Sequence, residues 1–212
     1  MDRTGDRRQW QPPGGASRTA AVLVATVVAV VAVVLLARPG PAPELKAGIV
    51  LASPQALPRF SLQDERGEPF GREALEGRWS LVFTGFTHCP DACPTTLALF
   101  AQLRQRVPRG DLQFMFLSVD PERDTPQRMA SYLRPIRSGL LGATGSRQQV
   151  ERLTTSMGLA QVRNPGSGGE YLVDHATALV LIDPRARIAG YFRAPHDAAA
   201  LAADLEALPK GG

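Results

Sequence analysis

The chain has 212 residues, 44% of them hydrophobic and 21% charged, and its formal net charge is +4. This length suits one good-sized hydrophobic core, and no repeat with the period of a solenoid is present. Half of the net charge lies before residue 38. Neither a run of basic residues nor an aromatic–basic stripe follows, so the charge pattern predicts no nucleic-acid partner.

Residues 20–37 form an uncharged apolar run, which predicts a membrane anchor because a helix of this length spans about 27 Å. Four arginines precede the run, so the positive-inside rule places residues 1–19 in the cytoplasm. A cleaved signal peptide is the alternative, but the run is too long for one, and Leu35 occupies a position where cleavage needs a small residue. We expect a single-pass protein of the bacterial inner (plasma) membrane, with its C-terminal domain in the periplasm or outside.

The prolines between residue 38 and Pro58 predict an extended linker over residues 38–57, at most about 60 Å long at the rise of a polyproline helix. A folded head is expected over residues 58–210. It begins with a short hairpin, indicated by the strand-like Phe60–Leu62 and by turn residues at Glu65–Gly67.

Two buried strands and two helices are predicted next. Trp79–Phe83 is a compact apolar run typical of a buried strand, and it leads into a helical pattern that starts at Pro94. Leu112–Val119 is a second buried strand. The following helix is expected to have Thr125 as its N-cap and Pro126 as its first residue.

The second half of the head repeats these patterns. Ser146–Met157 predicts a helix capped by its first residue, and the glycine-rich Asn164–Gly169 predicts a loop. Thr177–Ile182 and Ile188–Phe192 predict two strands joined as a hairpin. Asp197 then caps a final alanine-rich helix.

The predicted order is strand, helix, strand, helix, helix, strand, strand, helix. This order predicts an α/β head with the layout of a thioredoxin. In such a head, the turn between a strand and the next helix lies at the rim of the sheet, where functional sites gather. A helix N-terminus at this place favours a thiolate.

The chain has only two cysteines, Cys89 and Cys93, in the segment FTGFTHCPDACPTT. A disulfide across so short a loop would remove only ~2 kcal/mol of unfolded-chain entropy, which makes a purely structural bridge a poor explanation. Two sulfurs within one turn indicate joint chemistry, either redox exchange or shared ligation of a soft metal ion. The spacing is one residue longer than C-x-x-C, which suits two metal-bound thiolates and does not forbid a disulfide.

Two thiolates alone make a poor closed metal site, so a third ligand is sought among the three histidines. His88 adjoins Cys89, and adjacent side chains usually diverge, so a place on the rim is expected for it. His196 stands at a helix entrance and suggests a solvated or capping role. His175 directly precedes a predicted strand beside the cysteines and is the favoured ligand, with Asp174 as a candidate partner of its imidazole.

Three segments, FTGFTHCPDACPTTL, SVDPERDTP and VDHATALVLID, occur in this order and together resemble the Sco/SenC family of membrane-anchored copper proteins. The resemblance covers about Pro58 to Leu208 and includes the anchor. It implies a thioredoxin-like fold and a copper site, for Cu(I) or Cu(II), formed by Cys89, Cys93 and His175. It also implies a role in assembling the dinuclear copper site of cytochrome c oxidase subunit II, as copper donor, thiol reductant or both.

Two functions therefore compete. One is a copper metallochaperone, which binds and transfers the metal and is not an enzyme; an extracytoplasmic copper donor or thiol reductant would then be a further partner. The other is a membrane-anchored thiol–disulfide oxidoreductase that uses Cys89 and Cys93, for which the spacing and the lack of a proline before the strand at Thr177 are unfavourable. A peroxiredoxin is not supported, because Phe86 stands where that family has Thr or Ser. No role for the segment Asp120–Thr125 follows from the sequence.

Overall fold

The computed structural model describes residues 16–36, 45–136, 139–159, 161–165 and 171–211. The chain divides into two compact units, residues 1–41 and 42–212.

The described residues of the first unit form the helix α1 (Ala16–Leu36). In the part of the chain that is described, no helix combines the length and the apolarity needed to cross a bilayer. The structure thus does not show the predicted anchor, and Ala37, its last residue, lies outside the described ranges. The anchor over residues 20–37 stays a prediction.

The second unit contains most of the secondary structure. Its described elements are, in chain order, β1 (Ile49–Ala56), β2 (Ser61–Asp64), β3 (Pro69–Gly71), β4 (Trp79–Gly85), α2 (Ala92–Arg106), β5 (Leu112–Ser118), α3 (Pro126–Leu133), β6 (Leu140–Thr144), α4 (Arg147–Ser156), β7 (Gln161–Pro165), β8 (Tyr171–His175), β9 (Leu179–Ile182), β10 (Arg187–Phe192) and α5 (Ala198–Glu206). Short 3-10 turns follow β3 and α3.

Eight strands form one mixed sheet in the order β1-β10-β9-β4-β5-β6-β2-β3. The central strands β4, β5 and β6 are parallel, and the strands on either side are antiparallel to their neighbours. The other two strands, β7 and β8, pair with each other in a separate antiparallel ribbon. The parallel strands all end at the same edge of the sheet, which is where the cysteine segment begins.

Both faces of the sheet are buried, because alternate residues of β4 and β5 point into different clusters. Leu81 and Phe83 pack in a cluster with residues of α2, α3 and α5. Val82 and Met115 pack on the opposite face with residues of α4. A strand covered on both faces reads as an unbroken apolar run, which is why the sequence predicted β4 and β5 directly.

The predicted helix starts are confirmed at three caps. The side chains of Thr125, Ser146 and Asp197 each accept a hydrogen bond from the backbone N–H three residues further on. Helix α2 begins at Ala92, two residues before the predicted start, so that Pro94 lies within its first turn. Proline is tolerated there because the first N–H groups of a helix have no partner in the helix.

Two segments that were predicted to lack regular secondary structure contain strand residues. Residues 49–56, expected to be part of the linker, form β1 and pair with β10 at the edge of the sheet. Pro54 fits this strand because the register is irregular between Val50 and Gln55, where no ladder bond from a proline N–H is needed. The predicted loop Asn164–Gly169 is wrong at its first two residues, which belong to β7; its other residues lie outside the described ranges.

Candidate metal centre

The two cysteines lie between the end of β4 and the first turn of α2. β4 ends at Gly85, the following loop carries Cys89, and α2 begins at Ala92, so Cys93 is in the first helical turn. No disulfide joins the two cysteines, and the backbone N–H of Cys93 donates to the sulfur of Cys89 over 3.4 Å. The structure therefore brings the two sulfurs together at the helix N-terminus, where the sequence predicted them.

The two thiols differ in exposure. Cys89 is half-buried, whereas Cys93 is 0% exposed and belongs to the apolar cluster beneath α2. Burial raises the pKa of the Cys93 thiol well above its ordinary value, and its hydrogen bond with Cys89 raises that pKa further. At Cys93 burial thus outweighs the helix N-terminus, which by itself favours a thiolate. The Cys93 thiol keeps its proton without metal, and ligation at this sulfur must release that proton.

A glycine at the end of β4 makes room for the buried sulfur. A Cβ atom built on Gly85 would lie 2.7 Å from the Phe116 ring and 2.8 Å from the Cys93 sulfur. Cβ atoms in proteins do not approach other atoms so closely. The Cys93 sulfur therefore lies against the backbone of β4 and beside an aromatic ring of β5.

The loop before Cys89 is held by the buried carboxylate of Asp124, which is 0% exposed. That carboxylate accepts hydrogen bonds from the Thr87 N–H over 3.0 Å, the Thr87 hydroxyl over 2.6 Å and the Ser118 hydroxyl over 2.7 Å. The backbone carbonyl of Asp124 accepts a fourth bond, from the Thr144 hydroxyl over 2.9 Å. One residue thus ties the cysteine loop to the ends of β5 and β6.

The same segment also positions Phe86. The Asp120 N–H donates to the Ser118 hydroxyl over 3.1 Å, and the Arg123 guanidinium donates to the Asp120 carboxylate. The Arg123 guanidinium lies 5.8 Å from the centroid of the Phe86 ring. The sequence alone predicted no role for the segment Asp120–Thr125. In the structure it supports the cysteine loop through hydrogen bonds to Thr87 and through the contact of Arg123 with the Phe86 ring.

Two of the three histidines, His88 and His196, lie at the same end of the sheet as the cysteines. The side chain of His88 is 39% exposed, as expected for a rim residue, and its ring nitrogens lie 3.3 Å from the Thr87 hydroxyl and 3.2 Å from the Arg128 guanidinium. His196 does not cap the helix, because Asp197 does. Its half-buried side chain instead has Nε2 3.0 Å from the Thr177 carbonyl.

His175, the predicted third ligand, is the last residue of β8, and in the backbone register it pairs with Gln161. Val173, two residues before it, is buried with Phe86 and Val119, and Cys89 packs against this cluster. The backbone of His175 is therefore only about 7 Å along the strand from a contact with the cysteine loop. The structure does not describe the side chains of Asp174 and His175.

Among the side chains that are described, no group of three or more His, Cys, Asp or Glu residues is arranged to hold a metal ion. The structure thus brings together two of the predicted ligands and the strand that carries the third. The ligand role of His175 and the partner role of Asp174 stay predictions. The signal that sequence reasoning missed is the buried Asp124, whose hydrogen-bond partners are distant in the chain.

Comparison with known proteins identifies the family. The family model described as SCO1/SenC matches residues 51–210, which is most of the chain. The chain belongs to the SCO1/SenC family. Its thioredoxin-like α/β fold, predicted from the element order, is confirmed by similar solved structures.

A Stutzerimonas stutzeri protein named for copper binding is 40% identical over 150 residues, which cover 69% of this chain and 74% of that protein. The copper-bound structure of Bradyrhizobium japonicum ScoI is 32% identical, with a TM-score of 0.67, and the match covers 72% of this chain and 99% of that one. BsSco, described as a member of the Sco family of cytochrome c oxidase assembly proteins, has a TM-score of 0.61 over 75% of this chain and 96% of its own, at 21% identity, which shows the fold alone. The chain spans about half the length of its mammalian mitochondrial relatives.

The buried carboxylate can be tested by Asp124→Ala. This change leaves the Thr87 N–H and two hydroxyls without their acceptor, so we expect the free energy of unfolding to fall by about 2–4 kcal/mol. Urea unfolding of the full chain, followed by circular dichroism, measures it.

Glu122→Ala is the matched control, because it removes an acid from the same segment whose side chain is 49% exposed and forms an ion pair with Arg147 at the surface. Its cost should stay below about 1 kcal/mol. Equal costs for the two variants would show that Asp124 does not hold the loop.

Proposed function

We propose that this SCO1/SenC protein is a copper metallochaperone that binds one copper ion through Cys89, Cys93 and His175. The observation that carries the proposal is the pair of neighbouring reduced sulfurs at the start of α2, where the Cys93 N–H donates to the Cys89 sulfur over 3.4 Å. The likeness to a copper-bound ScoI structure supports it.

The chemistry of the donor set fits copper. Soft thiolates select Cu(I), and an imidazole nitrogen also suits Cu(II), so two sulfurs and one nitrogen can hold either ion. Asp174, which precedes His175, is the proposed partner that orients the imidazole. Binding releases the protons of both thiols, and the raised pKa of Cys93 means that copper has to displace a firmly held proton there.

The proposed recipient is the dinuclear copper site of cytochrome c oxidase subunit II. In this role copper is cargo: the chain accepts the ion from an extracytoplasmic copper donor and passes it on by ligand exchange. Cys89 is the half-exposed sulfur and the one that a recipient's ligands can reach. The protein then acts as a chaperone and catalyses no covalent step.

A thiol–disulfide oxidoreductase is the second candidate, because the two reduced sulfurs are neighbours and one of them is accessible. In this reaction the dithiol of Cys89 and Cys93 would give two electrons and two protons to a disulfide of the recipient and become a disulfide itself. An extracytoplasmic thiol reductant would then restore the dithiol. This role would prepare the recipient's cysteines for copper.

We also propose that residues 20–37 anchor the protein in the bacterial inner (plasma) membrane. The uncharged apolar run and the arginines before it support an orientation with residues 1–19 in the cytoplasm and the C-terminal domain in the periplasm or outside.

The copper site is tested by titrating the reduced full chain with Cu(I) in competition with a chelator of known affinity. We expect one copper per chain, and weaker binding at lower pH because protons compete for all three ligands. Cys89→Ser, Cys93→Ser and His175→Ala should each lower the affinity by more than the ~10–100-fold that loss of an outer partner causes.

His88→Ala is the control, since it removes an exposed imidazole next to Cys89 without removing a proposed ligand. It should bind copper as the wild type does. Wild-type affinity of the His175→Ala variant, or equal binding by the disulfide form, would exclude the three-ligand site.

The two candidate functions are separated by His175→Ala in cells. If the protein is a copper chaperone, the variant should still form and reduce the Cys89–Cys93 disulfide, while assembly of cytochrome c oxidase fails. Oxidase activity and thiol trapping, at matched protein levels, report the two properties. Normal assembly with this variant would favour the oxidoreductase.

The anchor is tested by the mass of the protein from the membrane fraction, which should be that of the full chain of 212 residues. A soluble extracytoplasmic form that starts near Ala42 or Pro43 would instead demonstrate a cleaved signal peptide.

A further inference from the structure

The hydroxyl of Tyr132, on α3, is a buried polar group that the copper proposal does not use. It is closed off from solvent, yet it has no hydrogen-bond partner among the atoms of the described residues. Buried polar groups in proteins almost always have a partner, so each exception calls for an explanation. The neighbours of this hydroxyl provide one.

Tyr132 packs against the apolar cluster that contains Cys93, and Cys89 packs against the same cluster. The Tyr132 and Phe116 ring centroids are 5.9 Å apart. The Phe116 ring and the Cys93 sulfur both lie within 2.8 Å of the position of a Cβ atom on Gly85, so ring and sulfur are themselves neighbours. Tyr132 and the buried sulfur thus share Phe116 as a neighbour.

The electrostatics of the phenol point to the same neighbours. Burial raises the pKa of Tyr132 to about 12, and negative charge on Cys93, Cys89 and Asp124 contributes to the rise. Electrostatic interactions of this kind are stronger where water is excluded. The phenol therefore keeps its proton at any physiological pH and is a hydrogen-bond donor.

Metal binding changes the hydrogen bonding that the buried Cys93 sulfur requires. In the metal-free protein the Cys93 thiol is hydrogen-bonded to the neighbouring Cys89 sulfur, and its sulfur also has a hydrogen bond with the backbone of Phe86. When both thiols lose their protons to bind copper, the bond between the two sulfurs is lost, and the Phe86 backbone is left to stabilise a negative charge in otherwise apolar surroundings. A buried thiolate is costly unless donors stabilise it. The uncommitted O–H of Tyr132 is such a donor.

We propose that the Tyr132 hydroxyl donates a hydrogen bond to the Cys93 sulfur in the copper-loaded site. Tyr132 then acts through Cys93 as a positioning residue that stabilises the metal-bound thiolate and makes no contact with the metal. This inference rests on the copper binding proposed above. Hydrogen bonds to a ligating sulfur are a known means by which proteins tune copper sites.

The test is Tyr132→Phe in the full chain, which removes only the oxygen atom. Cu(I) affinity should fall about 10-fold, at the lower end of what the loss of an outer hydrogen bond to a ligand costs. With Cu(II), the sulfur-to-copper charge-transfer band should move to lower energy, because the sulfur lone pairs are no longer stabilised. The stability of the metal-free protein should stay equal or rise, since no hydrogen bond is lost in that state.

Tyr191→Phe is the matched control. Its side chain is half-buried like that of Tyr132, but its hydroxyl donates to the Met157 carbonyl over 3.0 Å, and no charge from either cysteine contributes to its pKa. This variant should lower the stability of the metal-free protein and leave copper affinity and the charge-transfer band unchanged. The two variants should therefore show opposite patterns.

Wild-type affinity and an unshifted band in Tyr132→Phe would overturn the inference while leaving the three-ligand site intact. Equal loss of copper affinity in both tyrosine variants would also overturn it, because the effect would then be general. If the wild-type chain binds no copper, the proposed function fails and this inference fails with it. Affinities of the Cys93→Ser and Tyr132→Phe variants, compared with wild type, distinguish these cases.

Discussion

Three hydrogen bonds to one buried carboxylate, that of Asp124, hold the cysteine loop on the end of the sheet. Two of them come from Thr87, which lies two residues before Cys89. The backbone and the side chain of Thr87 are therefore both held in place. Because the carboxylate is closed off from water, these bonds do not compete with solvent, and their loss would leave several buried groups without partners. The placement of the sulfurs follows from this arrangement, since the loop and the start of α2 are continuous.

The two sulfurs that this arrangement presents are unequal. Cys93 lies in the apolar cluster against the end of β4, and Cys89 lies half-buried above it. Burial makes ionisation of Cys93 unfavourable, so a soft cation that bonds to the sulfur is a far better occupant of this position than a free negative charge. The accessible Cys89 offers the route by which another molecule reaches the pair. The fold thus provides a firmly held ligand, Cys93, and an exchangeable ligand, Cys89.

The sequence predicted those features whose causes are local. Thr125 caps α3 through an N–H three residues away, and the buried strands read as apolar runs, so both could be recognised from short segments. The role of Asp124 could not be recognised, because Thr87 is 37 residues away and only the folded chain brings the two together. β1 was missed for the same reason: its partner is β10, and its own proline suggested a linker. The β7–β8 ribbon was also not predicted, because neither segment has a strong strand pattern of its own and the strands form by pairing with each other.

Both edge strands of the large sheet contain a proline. β1 includes Pro54 within an irregular register, and β3, on the opposite side, is three residues long and starts with Pro69. A proline has no N–H to donate to an incoming strand, and a short or irregular edge strand offers few consecutive backbone groups for hydrogen bonding. Folded copies of this domain can therefore collide at high concentration without joining their sheets. The features that made β1 hard to recognise as a strand also protect the folded protein from aggregation.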